Sequence, residues 1–297
     1  MTWQTPMRRW LVLGLTCLLG LFAWWYGSSL LSHGAVPSAM PTPEGGAVVN
    51  GRYSNRYFDL SYPLPEGWTE GLAGPQPSGT GYYVLSSLAP TGELDATMLI
   101  AAQDMFFAPK PHSDAAAEAS DFRESMARID GMTIDREPAQ LNIADRAMQR
   151  VDFSGVGLYR AMFVSEIRCH FMSFNLTARS PKRLADLAGT LERLSHAEGE
   201  KAATAAPVCI KDFASAENVL QRVDPEPADP KFTPIPVRII IDRAGAVKHV
   251  HVIYGSPQQR RNVEEALRQW KFKPPRVNGE SVEVETGLMF RFGTPKS

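Results

Sequence analysis

The chain has 297 residues, of which 44% are hydrophobic and 21% charged, and its formal net charge is −1 at pH 7. This balance is typical of a globular protein and excludes a disordered or collagen-like chain. A near-neutral chain also lacks the basic excess that binding to a nucleic-acid backbone requires. Its three cysteines are too few for a disulfide scaffold, and no CxxC pair indicates a metal or redox site.

The N-terminal segment predicts a membrane anchor. Residues 11–31 carry no charge, and about 20 apolar residues in a helix span a hydrocarbon core of roughly 30 Å. Because Arg8 and Arg9 precede this run, the positive-inside rule predicts a cytoplasmic tail over residues 1–9. We therefore predict a single span over residues 10–32 in a bacterial inner membrane, with the bulk of the chain in the periplasm.

Two other interpretations of this segment stay open. A cleaved signal peptide has an apolar core of about 7–15 residues and a small-x-small cleavage site. Here the run is longer, and cleavage after Ala35 or Ala39 would leave His33 or Pro37 where a small residue is needed. The arginine pair is also a feature of twin-arginine signals, but its flanking residues match that signal poorly.

Composition and periodicity divide the remainder of the chain. We predict a Pro/Gly-rich tether over residues 33–52, an α+β domain over 53–195 and a linker with a short helix over 196–235. In the α+β domain, helices should pack on an antiparallel sheet, and the two helices should begin at Ser113 and Ser180. Strands are predicted, from their alternation of apolar and polar residues, at 56–63, 82–88, 96–103, 148–155, 157–167 and 168–178.

The α+β domain opens with the pattern N-x-x-F-x-L-x-Y-P-x-P-x-G-W. Its residues are Asn55, Phe58, Leu60, Tyr62, Pro63, Pro65, Gly67 and Trp68. This opening resembles the PsbP-like superfamily, whose members serve as binding or assembly factors, and it brings no catalytic motif. The alternative is that any small α+β domain can begin with an edge strand and a Pro-Gly turn.

The C-terminal region, residues 236–293, predicts a β-β-α-β domain. A β-branched strand, a second alternating strand, a helix after Ser256 and a last strand follow one another. The motifs I-x-x-x-G, V-x-x-V and A-L-x-x-W-x-F-x-P comprise Ile241, Gly245, Val247, Val250, Ala266, Leu267, Trp270, Phe272 and Pro274. Together with Asn278-Gly279 they strongly resemble the TonB C-terminal domain. Each of these residues also has a packing or turn role of its own.

The resemblance implies a function and sites. TonB-like energy transducers pair a membrane helix with an ExbB/ExbD-like motor and grip an outer-membrane receptor by adding a strand to a sheet edge. The resemblance points to motor coupling at Ser29 and His33, which share the S-x-x-x-H spacing of the family's membrane helix. It points to a partner-binding strand with Val282, Val284, Leu288, Phe290 and Phe292.

Other chemistry is sparse. Cys169 and Cys209 would share an oxidising compartment, which favours a disulfide between them. His249 and His251 have a spacing that zinc could use, but such a pair is more often a surface feature. No nucleophile elbow, Walker loop, GxGxxG or HExxH motif is present, so we predict no enzyme, no cofactor and no metal. The alternative function is an envelope scaffold that uses the TonB-like domain only for docking.

Overall fold

The computed structural model describes residues 40–71, 77–197, 206–226, 228 and 234–291. Pro41–Ser297 form one compact unit. The predicted anchor, with Ser29 and His33, lies outside the described residues. Within those residues, no helix is both long and apolar enough to cross a bilayer.

The first part of the chain is a seven-stranded antiparallel sheet with a smaller sheet beside it. The smaller sheet has the order β1-β2-β3, with β1 Ala47–Val49, β2 Arg52–Asn55 and β3 Leu60–Pro63. The strands of the larger sheet are β4 Trp68–Glu70, β5 Tyr82–Pro90, β6 Ala96–Asp104, β7 Thr133–Ile143, β8 Arg146–Gly155, β9 Leu158–Ile167 and β10 His170–Ala178. Their order is β4-β5-β6-β10-β9-β8-β7. This mixed α+β architecture confirms the predicted fold class for this part of the chain.

A helix packs on each face of the seven-stranded sheet, because successive strand residues point to opposite faces. On β9, Phe163 joins the core beneath helix α2 (Pro181–Gly189), and a short 3₁₀ helix at Thr190–Arg193 extends that helix. The neighbouring Met162 joins the core beneath helix α1 (Ala115–Ala127). The alternating side chains of strand β9 therefore contribute to the cores on both faces of the sheet.

The last part of the chain has the predicted β-β-α-β order. Its four-stranded sheet has the order β11-β18-β13-β14, with β11 Val208–Cys209, β13 Ile235–Ile241, β14 Val247–Val252 and β18 Val284–Phe290. Two small pairs join β12 Val219–Gln221 to β15 Lys271–Phe272 and β16 Arg276–Val277 to β17 Glu280–Ser281. Helix α3 (Pro257–Leu267) begins at Ser256, which forms a capping box with Gln259. Val263 and Leu267 of α3 pack with Trp270 against one face of β13.

Two of the three predicted helix starts are confirmed, those at Ser180 and Ser256. The strand predicted over 56–63 begins only at Leu60, because residues 56–59 form a turn. Ser180 caps α2 through the backbone N–H of Arg183, and β9 pairs with β10 as a hairpin. At α1, however, the cap is Asp114 and not Ser113: the Asp114 carboxylate accepts a hydrogen bond from the N–H of Ala117. Adjacent Ser and Asp are both good N-caps, so the sequence pattern alone does not choose between them.

The two connecting segments contain more structure than the sequence indicates. Strand β1 lies inside residues 33–52, predicted as a tether, and pairs with β2. Strands β11 and β12 lie inside residues 196–235, predicted as a linker. The short helix predicted there is wrong: Phe213, Ser215 and Asn218 each donate to a carbonyl three residues back, which makes a series of turns.

Gly245 is the motif glycine whose conformation the fold requires. Its φ is +86°, and a Cβ at this position would collide with the backbone carbonyl of Phe272. The N–H of Phe272 donates to the Gly245 carbonyl at 2.8 Å, which holds the β13–β14 turn against β15. A left-handed backbone and a close approach of two chain segments thus coincide here.

We predict that Gly245→Ala lowers the free energy of unfolding by about 2–3 kcal/mol, because it adds a steric clash to the cost of a left-handed alanine. Gly279→Ala is the matched control, since Gly279 has φ +85° with no heavy atom near its added Cβ, and it should cost about 1 kcal/mol. Urea unfolding of the full chain measures both. Equal losses for the two variants would contradict a close approach at Gly245.

Candidate functional site

The candidate site is the outer edge of β18, the last strand. Its inner neighbour is β13, in a register that pairs Ile241 with Val284 and Ile235 with Phe290. On its outer side, the carbonyls of Glu283 and Glu285 accept hydrogen bonds from Val208 of the short strand β11 and from Ile210, which follows that strand. The backbone groups of odd-numbered residues therefore point outward and those of even-numbered residues point toward β13.

Part of this outer edge, beyond β11, has no neighbouring strand among the described residues. Gly287 and Met289 continue the odd-numbered series, so their N–H and C=O groups face outward. Met289 lies opposite Pro236, which has no N–H to give, and this agrees with an outward-facing Met289. Among the described residues no strand lies beside Gly287 or Met289. Such unpaired backbone groups are what an added strand uses.

The first half of the edge is already covered by the chain itself. Strand β11 runs parallel to β18, with Val208 opposite Val284 and Cys209 opposite Glu285. The N–H of Val208 donates to Glu283 at 2.8 Å and the N–H of Ile210 donates to Glu285 at 3.1 Å. After Ile210 the chain turns away from the sheet, and this turn is why the coverage stops before Gly287.

The side chains of the strand predicted to bind a partner face the core beneath α3 and not the outer edge. Val284 and Phe290 are buried, Phe290 belongs to the core beneath α3, and Leu288 packs against that core. Val282 precedes β18, and its N–H donates to Pro275. Phe292 lies outside the described residues. A strand added here would therefore form its hydrogen bonds with the backbone of Gly287 and Met289, and this pairing does not require the apolar side chains.

Beneath the edge, a buried ion network joins the two large sheets. Arg238 of β13 donates to Asp104 of β6 at 2.5 Å and lies 3.0 Å from Glu285 of β18. The Tyr57 hydroxyl donates to Glu285 at 3.0 Å. All three charged side chains are at least 96% buried. The face of β13 opposite α3 is thus buried against the seven-stranded sheet.

The turn between β9 and β10 completes the surroundings of Arg238. The Arg168 carbonyl accepts hydrogen bonds from Arg238 at 3.4 Å and from His170 Nδ1 at 2.7 Å. The Arg168 guanidinium lies 4.1 Å from the centre of the Tyr57 ring. Because both the main chain and the side chain of Arg168 take part, this turn is a structural element of the interface.

Gly287 allows the two sheets to approach closely. A Cβ at Gly287 would lie 2.7 Å from Cβ of Phe106 and 2.8 Å from the ring of Phe107. The Phe106 ring also receives the Arg238 guanidinium at 4.8 Å from its centre. Gly287, whose backbone faces the open edge, is therefore also packed directly against the turn that follows β6.

Burial and ion pairing have opposite effects on the pKa values of Arg238 and Asp104 in this network. Burial acts to lower the pKa of Arg238, but the Asp104, Tyr57 and Glu285 groups outweigh it and hold that pKa well above its usual value. Burial raises the pKa of Asp104 despite the Arg238 charge. Burial, together with the Arg238 charge, puts the pKa of His170 well below 6.5. His170 is therefore neutral at pH 7.

A disulfide fixes the short outer strand to the interface turn. Cys169 and Cys209 are bonded, with their Cα atoms 5.8 Å apart. Cys169 is buried in the β9–β10 turn, whereas Cys209 is exposed on β11. The bond therefore ties the outer neighbour of β18 to the seven-stranded sheet. His249 and His251 face the same interface, and no group of metal-binding side chains exists in the part of the chain that the structure describes.

The sequence contained one signal for this network. Arg238 is the lone charge in a strand whose other residues are Ile, Pro or Val. A strand that is apolar along its whole length is typically buried on both faces, and a charge inside it requires a partner. Its partners Asp104 and Glu285, and Tyr57 that donates to Glu285, are too distant in sequence for any local pattern to reveal.

We predict that Arg238→Met lowers the free energy of unfolding by about 3–5 kcal/mol, because it leaves two buried carboxylates without their cation. The triple variant Asp104→Leu, Arg238→Met, Glu285→Leu removes every charge and should recover most of that loss. Urea unfolding of the full chain measures both variants. A loss below about 1 kcal/mol for the single change would contradict a buried network.

We predict that acidification destabilises the chain through His170. Since its folded pKa lies below the unfolded value of 6.5, the unfolded chain takes up a proton first, and stability falls as the pH drops below 6.5. The expected loss is about 1 kcal/mol between pH 7.5 and 5.5. His170→Asn keeps a donor for the Arg168 carbonyl and cannot titrate, so its stability should change less.

Thermal unfolding of both chains across this pH range gives the comparison. The other charged or titratable groups around His170 are Asp104, Arg168, Arg238, Tyr57, Tyr83, Glu285 and His251, and both chains retain them. An identical pH profile for the wild type and His170→Asn would show that His170 does not carry the effect.

Comparison with known proteins agrees with the C-terminal geometry. Residues 234–294 match the family described as Gram-negative bacterial TonB protein C-terminal. Among solved structures, the solution structure of cyanobacterial PsbP (CyanoP) from Synechocystis sp. PCC 6803 is similar at 14% identity with a TM-score of 0.36. That similarity covers 49% of this chain and 91% of that one. No curated protein matches the chain.

The predicted resemblance to TonB is thereby confirmed for the C-terminal residues. TonB-like proteins are not enzymes in general, and their C-terminal domains take part in protein–protein contact in the envelope. Strands β13, β14 and β18 of the four-stranded sheet lie within the matched residues, whereas β11 lies outside them.

Proposed function

We propose that this chain is a periplasm-facing, inner-membrane-anchored protein that binds an extended partner segment by adding it to the edge of β18. The observation that carries the proposal is the open edge at Gly287 and Met289 within the residues that match the TonB family. Main-chain hydrogen bonds supply most of the affinity in this binding mode. No specialised side chain is therefore required of the site.

In this proposal the partner is an outer-membrane transport protein, and the anchor at residues 10–32 receives energy from an ExbB/ExbD-like motor. Ser29 and His33 would couple the anchor to that motor. The match to residues 234–294 supports the partner-binding part of the proposal. The motor part rests on the sequence resemblance alone.

The alternative is an envelope scaffold that docks a partner without transmitting force. The disulfide and the Arg238 network favour it, because they bind the four-stranded sheet directly to the seven-stranded sheet. The compact unit begins at Pro41, so few residues separate it from the proposed anchor. A segment of about nine residues extends to at most roughly 30 Å. This short reach favours a partner close to the inner membrane.

We predict that Met289→Pro abolishes partner binding while leaving the fold intact. The N–H of Met289 faces outward, so a proline there removes a donor for the partner and none of the bonds to β13. Met289→Ala is the matched control, because it shortens the side chain and keeps the N–H. In-cell photo-crosslinking from a photoreactive residue at Val208, next to the edge, measures partner binding by both variants.

A photoreactive residue at Leu94, which is exposed in the turn between β5 and β6, gives the background level of crosslinking. From Val208, Met289→Ala should give partner adducts and Met289→Pro should give none, with unchanged melting temperatures. An outer-membrane barrel among the adducts supports energy transduction, and inner-membrane or periplasmic adducts alone support the scaffold. Equal adducts in the proline and alanine variants would contradict strand addition at this edge.

A further inference from the structure

Strand β11 occupies the edge that the proposed partner would use. It is only two residues long, and both residues are exposed. The N–H groups of Val208 and Ile210 donate to the carbonyls of Glu283 and Glu285, and β11 pairs with β18 over two residues. The side chain of Thr286 also donates to the carbonyl of Lys211 at 3.0 Å. So short and exposed a strand buries little apolar surface, and its position depends on its covalent link.

That link is the disulfide between Cys209 and Cys169. The Cys169 end is well anchored: it is 1% exposed, and its carbonyl accepts a hydrogen bond from Met105 at 3.0 Å. The Cys209 end has no comparable support, among the described residues, besides the ladder to β18. The disulfide thus fastens the short strand β11 to the well-anchored turn between β9 and β10.

We propose that Val208–Ile210 is a latch on the partner-binding edge and that the redox state of Cys169–Cys209 sets how much of that edge is open. In the disulfide form a partner has only Gly287 and Met289. In the dithiol form the latch leaves, and the edge extends from Glu283 to Met289 for an extended peptide. This inference rests on the proposed function, since it concerns the same edge.

The reduction requires an external dithiol, such as a thiol–disulfide oxidoreductase. Its thiolate attacks Sγ of the exposed Cys209, the S–S bond breaks, and Cys169 leaves as a thiolate that takes up a proton. The second thiol of the reductant then attacks the mixed disulfide and releases Cys209 as a thiol. The chain gains two electrons and two protons, and the reductant becomes a disulfide.

The chain has a suitable hinge for such a movement. Beyond Ile210, Phe213 packs on the core beneath α3 and the Asn218 side chain donates to the Phe213 carbonyl at 3.1 Å. These contacts do not involve the disulfide. The latch can therefore leave β18 by rotation near Lys211 while the turns that follow stay packed.

Hydrogen exchange and a synthetic peptide test the latch directly. The full chain carries Cys17→Ser, so that Cys169 and Cys209 are its only cysteines. The probe is a labelled peptide with the sequence of residues 206–212 and Cys209→Ser. On reduction we expect the Val208 and Ile210 amides to exchange at least about tenfold faster, while the β13 amides stay protected. The peptide should bind the reduced chain at least about tenfold more tightly than the oxidised chain.

Unchanged protection of Val208 and Ile210 after reduction would overturn the latch, and so would equal peptide binding in the two redox states. If reduction also exposes the β13 amides, the oxidised double variant Val208→Pro, Ile210→Pro is used in place of the reduced chain. This variant lacks both N–H donors of the latch and keeps the disulfide. Peptide binding to it supports the latch, and absence of binding overturns it. These readouts need no cellular partner, so their outcome is separate from that of the crosslinking experiment.

Discussion

The buried guanidinium of Arg238 is the interaction on which the arrangement of the two large sheets depends. Its strand supplies one apolar face to helix α3, and Arg238 stands on the other face. Transfer of a charge out of water is costly unless it is paired and hydrogen-bonded. Asp104 and Glu285 provide that pairing from opposite sheets. The network therefore specifies one docking arrangement, since any displacement would leave buried charges unpaired.

The same constraint shapes the candidate site. Glu285, which pairs with Arg238, accepts the Ile210 N–H through its main chain, and Gly287 packs against Phe106 while its own main chain faces outward. Side chains of odd-numbered residues on β18 face the interface, and their backbone groups face the edge. The open edge and the docking of the two sheets thus involve the same residues through different atoms.

Local patterns predicted the parts of the fold that local forces determine. The spacing of Gly245, Trp270 and Phe272 identified the C-terminal domain, because turn conformation and core packing fix those residue types. The edge strand β7 escaped detection because Arg136, Glu137 and Pro138 interrupt its alternation. Charges and proline protect an edge from unwanted pairing, and they also hide it from a search for strands.

The candidate site was predicted only at the level of the strand. Alternation indicated β18, but whether it lies at the edge or the centre depends on β11, whose two residues have no period to detect. The cysteine pair suggested a long-range link, whereas Tyr57 and Asp104 carried no sign of their role. Information about the edge is therefore spread over residues that meet only in the folded chain.

The sequence distance across the network has a consequence for how the chain folds. Arg238 and Asp104 are 134 residues apart, so closing that loop is entropically costly and slow compared with forming the local hairpins. The water around Asp104 must also be removed when strand β13 packs against it. Docking of the two sheets therefore carries an entropic and a desolvation cost that formation of the local hairpins does not.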